Sequence, residues 1–217
     1  QPQPLIEFMA RLKSTRLGLR FEYLLWFWLQ DDDYHPYQLL GHSIQKIAGA
    51  VTLGELDFLL LNKQTQEIEH WEVALKYYLG ENELNLSEWF GLNRQDTLQR
   101  KLRHFTQRQF QFSETSQYTI QRKFAVMKGQ LYLPEPHYAS SIPEWINTSR
   151  RLGQWGTIIP VLPYYRLQRY EWICPDQHPS SQTAEWWTNG LYHNADIEPM
   201  FYMFRQPALL FSSTASK

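Results

Sequence analysis

The feature that most constrains this chain is a pair of short apolar runs. Glu55-Leu56-Asp57-Phe58-Leu59-Leu60-Leu61 is followed by the polar stretch Asn62 to Glu67, and residues 68–79 then form a second run rich in aromatic and branched side chains. Two such runs joined by about six polar residues make a β-hairpin. A turn centred between Gln64 and Thr65 makes facing residue numbers sum to about 129, which sets Asp57 opposite Glu72. Side chains alternate along a strand, so Glu55 and Asp57 share one side, and Glu72, Ala74 and Lys76 share one side of the partner. Facing Cβ atoms lie roughly 4.5–5.5 Å apart. Two carboxylates that close repel unless something positive lies between them. A divalent cation with hard oxygen ligands resolves the repulsion, and Lys76 is a second source of positive charge.

Such a set suits phosphodiester hydrolysis. Carboxylates hold Mg²⁺ (or Mn²⁺), the metal polarises the phosphate and acidifies a bound water, and a lysine positions that water or balances the developing charge. Glu22 is the candidate third acid. It is the only charged residue between Phe21 and Leu29, where a carboxylate is costly to desolvate without a cation or a metal. Pairing with Arg16 or Arg20 is the plainer alternative for Glu22, as an exposed ion-pair cluster is for the hairpin charges.

Around the hairpin, apolar spacing through Leu17, Phe21, Leu24, Leu25 and Trp28 predicts a helix over 5–29, and 43–51 reads as a short strand. Residues 81–91 read as a loop with one helical turn. Residues 95–110 suit an amphipathic helix with Asp96 as its N-cap. Residues 118–133 read as two strands joined by a turn at Lys128-Gly129. Farther on, 143–152 reads as helix, 157–162 and 164–173 as strands, 176–190 as loop, and Ser212 to Lys217 as a frayed tail.

Residues 94–151 carry ten Lys/Arg against four Asp/Glu, whereas the 217-residue chain has a net charge of −1. That local surplus of six suits a phosphate backbone, with Lys101, Arg103 and Arg108 of the amphipathic helix as the nucleic-acid contacts, and a solvated helix face as the alternative. The seven histidines show no HExxH spacing, and there is neither a GxSxG elbow nor a Gly-rich phosphate loop, so zinc, serine-hydrolase and nucleotide-loop chemistry find no motif. The single cysteine, Cys174, leaves no internal disulfide and reads as buried packing. The longest apolar run, Tyr23 to Leu29, falls far short of the roughly 18–20 residues that cross a bilayer. No basic-then-apolar leader opens the chain, and the expectation is a soluble cytoplasmic protein without a membrane partner.

The phrases Thr52-Leu53-Gly54-Glu55-Leu56-Asp57-Phe58-Leu59-Leu60, His70-Trp71-Glu72-Val73-Ala74-Leu75-Lys76-Tyr77-Tyr78-Leu79 and Asp96-Thr97-Leu98-Gln99-Arg100-Lys101-Leu102 resemble a bacterial family, the domain of unknown function numbered 1853. The wider arrangement is a helix with Glu22, then Asp57, then a strand bearing an acid and a lysine, then a basic helix. It resembles the PD-(D/E)XK nuclease superfamily. That resemblance implies an α/β (α+β) fold with a restriction-endonuclease-like α-β-β-β-α-β core and a mixed central sheet flanked by helices. It also implies Mg²⁺ at the acids, with Asp57 matching the first metal ligand, Lys76 the motif lysine and Glu22 the helix acid. One position departs from the pattern: two residues before Lys76 stands Ala74, and the acid is Glu72.

The resulting expectation is a nuclease-like core over 1–135 and a β-rich extension over 136–217 packed on it as a single globular unit. Its site would comprise Asp57 and Glu72 as metal ligands, with Lys76 and Glu22, in a Mg²⁺-dependent nuclease acting on DNA or RNA. A nuclease-fold module that binds nucleic acid or protein without turnover is the alternative, and an assembly protein built on the aromatic surplus is a third.

Overall fold

Asn62 turns the chain as its side chain dictates. Its Oδ1 accepts the amides of Gln64 and Thr65 at 3.0 and 3.3 Å, the local bonding by which Asn favours turns. The computed structural model describes residues 2–31, 33–136, 142–175 and 182–206. In it, two helices, α1 (Pro2–Met9) and α2 (Leu17–Leu29), precede the antiparallel meander β1 (Tyr37–Ala48), β2 (Val51–Asn62) and β3 (Glu67–Gly80). The expected hairpin register holds: Phe58 pairs with Trp71, Leu59 with His70 and Asn62 with Glu67.

Three local expectations need correction. The single helix over 5–29 is two helices. Between them Ser14 Oγ accepts the Arg16 amide at 3.2 Å and Arg16 is extended, with φ −69° and ψ 122°. A short hydroxyl side chain that captures a nearby amide competes with the helix for it. The strand expected over 43–51 is the second half of a longer β1, and Val51 already belongs to β2; the reversal uses Gly49 at φ +60°. Asp96 does not cap the helix α3 (Leu98–Gln107). Thr97 does, its hydroxyl accepting the Arg100 amide at 3.2 Å.

Short strand β4 (Trp89–Gly91) pairs with β3, and the expected helical turn in that stretch is the 3₁₀ turn Leu86–Glu88. After α3 comes β5 (Arg122–Pro134), one strand where two had been expected. The Gly129 that read as a turn stands mid-strand at φ +144°, where an added Cβ would lie 1.6 Å from the Lys76 carbonyl oxygen. It permits a close approach of two backbones, a second reason for glycine in a strand. β5 neighbours β3 and advances in the same direction, since Gln121 bonds Ile68 and Gly129 meets Lys76.

The chain divides into two compact units, Gln1–Tyr78 with Leu86–Gly129, and Leu79–Asn85 with Gln130–Lys217. In the first, one face of the strands packs Phe58 and Leu60 against Leu29, with Leu25, Trp26, Trp71 and Val73 around them. The opposite face packs Leu56 and Leu59 with Ile120, Ile68 and Phe112. Phe8 of α1 meets Trp26 of α2 edge-on, with centroids 5.2 Å apart.

In the second unit, Tyr132 to Pro134 pair in parallel with β6 (Gly153–Gly156). β6 pairs in parallel with the last strand among the described residues, which follows β7 (Tyr165–Arg166) and β8 (Gly190–His193); this is β9 (Phe201–Phe204). The antiparallel pairs β9–β8 and β8–β7 complete the order. Tyr164, Tyr192, Tyr202 and Phe204 form its core, and Trp187 stacks on Tyr192 with centroids 4.0 Å apart. The helix expected over 143–152 and the strand over 157–162 are turns and bends, and 164–173 holds only β7 and a 3₁₀ turn, Arg169–Trp172. Proline-rich segments with few alternating positions carry too little local signal for such short elements. Cys174 is exposed, not buried. Residues 176–181 of the expected loop and the expected tail Ser212 to Lys217 lie outside the described residues. The chain is thus a mixed α/β protein in which mixed sheet dominates and helices are few.

Candidate active site

Leu56 and Phe58 stand two residues apart in β2 yet belong to opposite faces, whereas a regular strand would put both on the same face. The strand turns over at Asp57. In the β1–β2 register, with His42 on Phe58 and Ile44 on Leu56, the residue across from Asp57 is Ser43, whose φ is +52°. Left-handed backbone is uncommon for a residue other than glycine and marks a local distortion. The β2–β3 pairing also ends here, at Phe58 and Trp71. Asp57 reaches sideways, and its Oδ2 accepts the Val73 amide at 2.7 Å. The carboxylate therefore occupies the point where β2 parts from β3.

Glu72 lies beside it. Its side chain is fully buried, and its Oε1 accepts from the His70 Nε2–H at 2.7 Å, with His70 also fully buried. The spacing of two along β3 puts both on one face. Glu72 Oε2 and His70 Nδ1 are buried and make no hydrogen bond among the described residues. Burial above all, then the Glu72 charge and smaller contributions from Glu22 and Glu55, push the Asp57 carboxyl up to about 7 despite the Val73 amide. The expected repulsion between the two acids is present.

Lys76, two rungs along from Glu72 on the same side, is taken by an ion pair with Asp96, both about one-third exposed. This explains why Asp96 leaves the helix cap to Thr97. Lys101 of α3 feels the charges of Glu72 and Asp57 as well as that of Lys76. Its Nζ lies 4.0 Å from the centre of the Phe105 ring, one helical turn on. Burial and then the Lys76 charge lower its pKa, against the pull of Glu72, Asp57 and Asp96.

A cleft of about 690 Å³ opens along α3, lined among others by Asp96, Arg100, Lys101, Arg103, His104 and Arg108. Leu98 and Phe105 face inward and leave the cationic side chains to the outside. Lys101, Arg103 and Arg108, the expected phosphate contacts, thus border one space. Burial, followed by the Lys101 charge, lowers the His104 pKa.

Glu22 is committed elsewhere, to neither Arg16 nor Arg20 in any described bond. Its Oε1 accepts from His42 Nε2–H at 2.8 Å, and Trp26, one turn along α2, stacks on the same ring with centroids 4.2 Å apart. It still contributes charge at Asp57. Glu55 is exposed at the start of the run. The sequence reading missed His70, His42 and His104. For His70 a signal existed, the His-x-Glu spacing on a strand already assigned; the others depend on packing between elements.

Among the described residues no three His, Cys, Asp or Glu side chains form a ready cation cage. Asp57 and Glu72 supply two hard-oxygen donors, one with an unpartnered buried oxygen. Mg²⁺ is commonly held by one or two carboxylates and completes its shell with water and substrate phosphate, a donor number and type that this pair supplies.

Fold and site together define a class: a mixed α/β protein with a carboxylate at a strand split, a buried acid on the neighbouring strand and a cationic cleft along a helix. The chain belongs to the family described as Domain of unknown function (DUF1853), whose model matches residues 1–208. No curated protein and no solved structure matches it.

Proposed function

We propose that this protein is a divalent-cation-dependent nuclease of the PD-(D/E)XK type, cleaving phosphodiester bonds in DNA or RNA. The observation that carries the reading is the cleft along α3 lined by Arg100, Lys101, Arg103 and Arg108, with Glu72 and Asp57 among the charges that act on Lys101. Phosphate needs positive charge to bind, and its hydrolysis needs acids that can hold a metal. The element order α2-β1-β2-β3-β4-α3-β5, in which the three-residue β4 is an addition to the pattern and β5 lies alongside β3 pointing the same way, supports the restriction-endonuclease-like core that the resemblance implies.

Asp57 and Glu72 would hold Mg²⁺ or Mn²⁺. When bound, the ion supplies Lewis acidity and a water acidic enough to attack at neutral pH. The chain supplies the rest. Val73 fixes one oxygen of Asp57, His70 fixes one oxygen of Glu72, and Arg100, Arg103 and Arg108 receive the backbone phosphates. Incubation with mixed single- and double-stranded DNA and RNA in Mg²⁺ or Mn²⁺ tests the proposal. Cleavage that is lost in Asp57→Ala and on chelation is expected.

A second reading is favoured by the same face of β3. Ala74 stands where the superfamily has its second acid, Glu72 is fully buried, and Lys76 is tied to Asp96. A module that binds nucleic acid without cutting it would keep the cleft and tolerate these changes. Binding with no cleavage in either metal would favour it.

A further inference from the structure

Two lysines reach the acid-bearing side of the first unit, and they differ in what surrounds them. Lys76 is a β3 residue whose ammonium is neutralised by Asp96. Breaking that pair to bind a phosphate would leave Asp96 as an anion beside another anion. Lys101 lies over the Phe105 ring, with Asp57 and Glu72 among its nearby charges, and it lines the cleft shared with Arg100, Arg103 and Arg108. An ammonium over a ring directs at least one N–H at the ring face and leaves the others for an anion. Its placement on the cleft sets an ammonium where a phosphate chain would lie, and Asp96, which also lines the cleft, ties that space to β3 through Lys76.

We propose that Lys101 of α3, and not Lys76 of β3, is the amine that meets the phosphate beside Asp57 and Glu72, while Lys76 with Asp96 braces the end of β3 against the start of α3. The assignment rests on the phosphodiester reading for its ligand. It moves the amine from the strand that carries Glu72 to the helix that carries the cationic cleft, and it makes α3 both the backbone-binding element and the donor to the reacting group. It also accounts for the sequence between the two sites. Asp96 and Thr97 stand side by side, one holding Lys76 and the other capping the helix that presents Lys101 one turn later.

The test uses the whole chain, short fluorescent oligonucleotides as single-stranded DNA, duplex DNA and RNA, and Ca²⁺ to hold any cleavage. Affinity is measured across a salt series for wild type, Lys101→Met, Lys101→Arg and Lys76→Met. Circular dichroism of each variant monitors folding. Losing one phosphate contact lowers the slope of log K against log salt by roughly 0.7–0.9. Losing one charge-assisted hydrogen bond weakens binding roughly tenfold or more. Lys101→Met is expected to show both changes and Lys101→Arg neither, while Lys76→Met keeps the wild-type slope and melts at a modestly lower temperature.

The reverse pattern, with the slope lost in Lys76→Met and kept in Lys101→Met, overturns the assignment. So does a wild-type chain that binds none of the three oligonucleotides. Replacing Ca²⁺ with Mg²⁺ separates the two readings. Binding that depends on Lys101 without cleavage removes the hydrolysis and leaves Lys101 in place. Cleavage that Lys101→Met leaves unaltered removes Lys101 and leaves the nuclease.

Discussion

His70 donates to Glu72 at 2.7 Å with neither side chain reached by solvent. A carboxylate without water depends on every donor it has, and this one has a ring nitrogen of its own strand and an oxygen left unpartnered. Lys101 of α3 is among the charges that interact with it. Glu72 is therefore held through one oxygen by His70, while its other oxygen is buried with no hydrogen-bond partner among the described residues.

His70→Ala removes the donor and leaves the acid buried. The expected loss is about 1–3 kcal/mol or more, read from urea unfolding. His70→Gln, which can still donate, should recover part of it. A loss within about 0.5 kcal/mol for His70→Ala, the range of ordinary surface changes, would mean that Glu72 is secured by other contacts.

Asp57 gives a pH dependence with a definite sign. Its carboxyl titrates near 3.8 when unfolded and about 7 when folded, so between those values the folded state binds more protons. Stability must then fall as pH rises through that window and level off above it. The full shift corresponds to about 4 kcal/mol. Asp57→Asn keeps an acceptor for the Val73 amide and removes the charge. It should exceed wild type in stability at pH 8 and match it near pH 4, as followed by chemical denaturation across pH. A variant less stable than wild type at pH 8 would show that the charge is welcome in the free protein.

Much of the hairpin could be read in advance, and the reasons are local. Asn62 and the polar residues after it fix the turn, the turn fixes the register, and the register carries Phe58 to Trp71. Asp57 was placed beside Glu72 by the same reasoning. What alternation could not reveal is that β2 turns over at Asp57, because that depends on Ser43 of a third strand. Nor could it show that Lys76 would be claimed by a residue twenty positions on. Gly129 misled because glycine serves turns and close approaches alike, and only the Lys76 carbonyl decides which applies. In the second unit, four-residue strands such as β6 and β9 pair in parallel across long separations, a pattern with no local signature.

Gly129→Ala tests the close approach directly. The added methyl carbon would meet the Lys76 carbonyl oxygen at 1.6 Å, in a backbone conformation that disfavours any side chain. The expected cost exceeds about 3 kcal/mol, since neither strand can move without breaking its pairing. Melting temperature and soluble yield report it. A variant that melts within a few degrees of wild type would show that β3 and β5 can separate cheaply.

Asp96→Ala frees Lys76, and because the pair is about one-third exposed its removal should cost only about 0.2–1 kcal/mol. The loss should shrink at high salt. A loss of several kcal/mol, independent of salt, would indicate a role for Asp96 beyond bracing Lys76.

The central claim is that Asp57 and Glu72 jointly bind a divalent cation, and thermal melting with and without Mn²⁺ at pH 8 tests it most directly. An ion that binds only the folded chain must raise its stability, by about 2.7 kcal/mol at a hundred times its Kd. The expected result is a Mn²⁺-dependent rise in wild type that is absent in Asp57→Asn and in Glu72→Gln. An unchanged melting temperature in wild type, or an equal rise in all three proteins, would contradict the account.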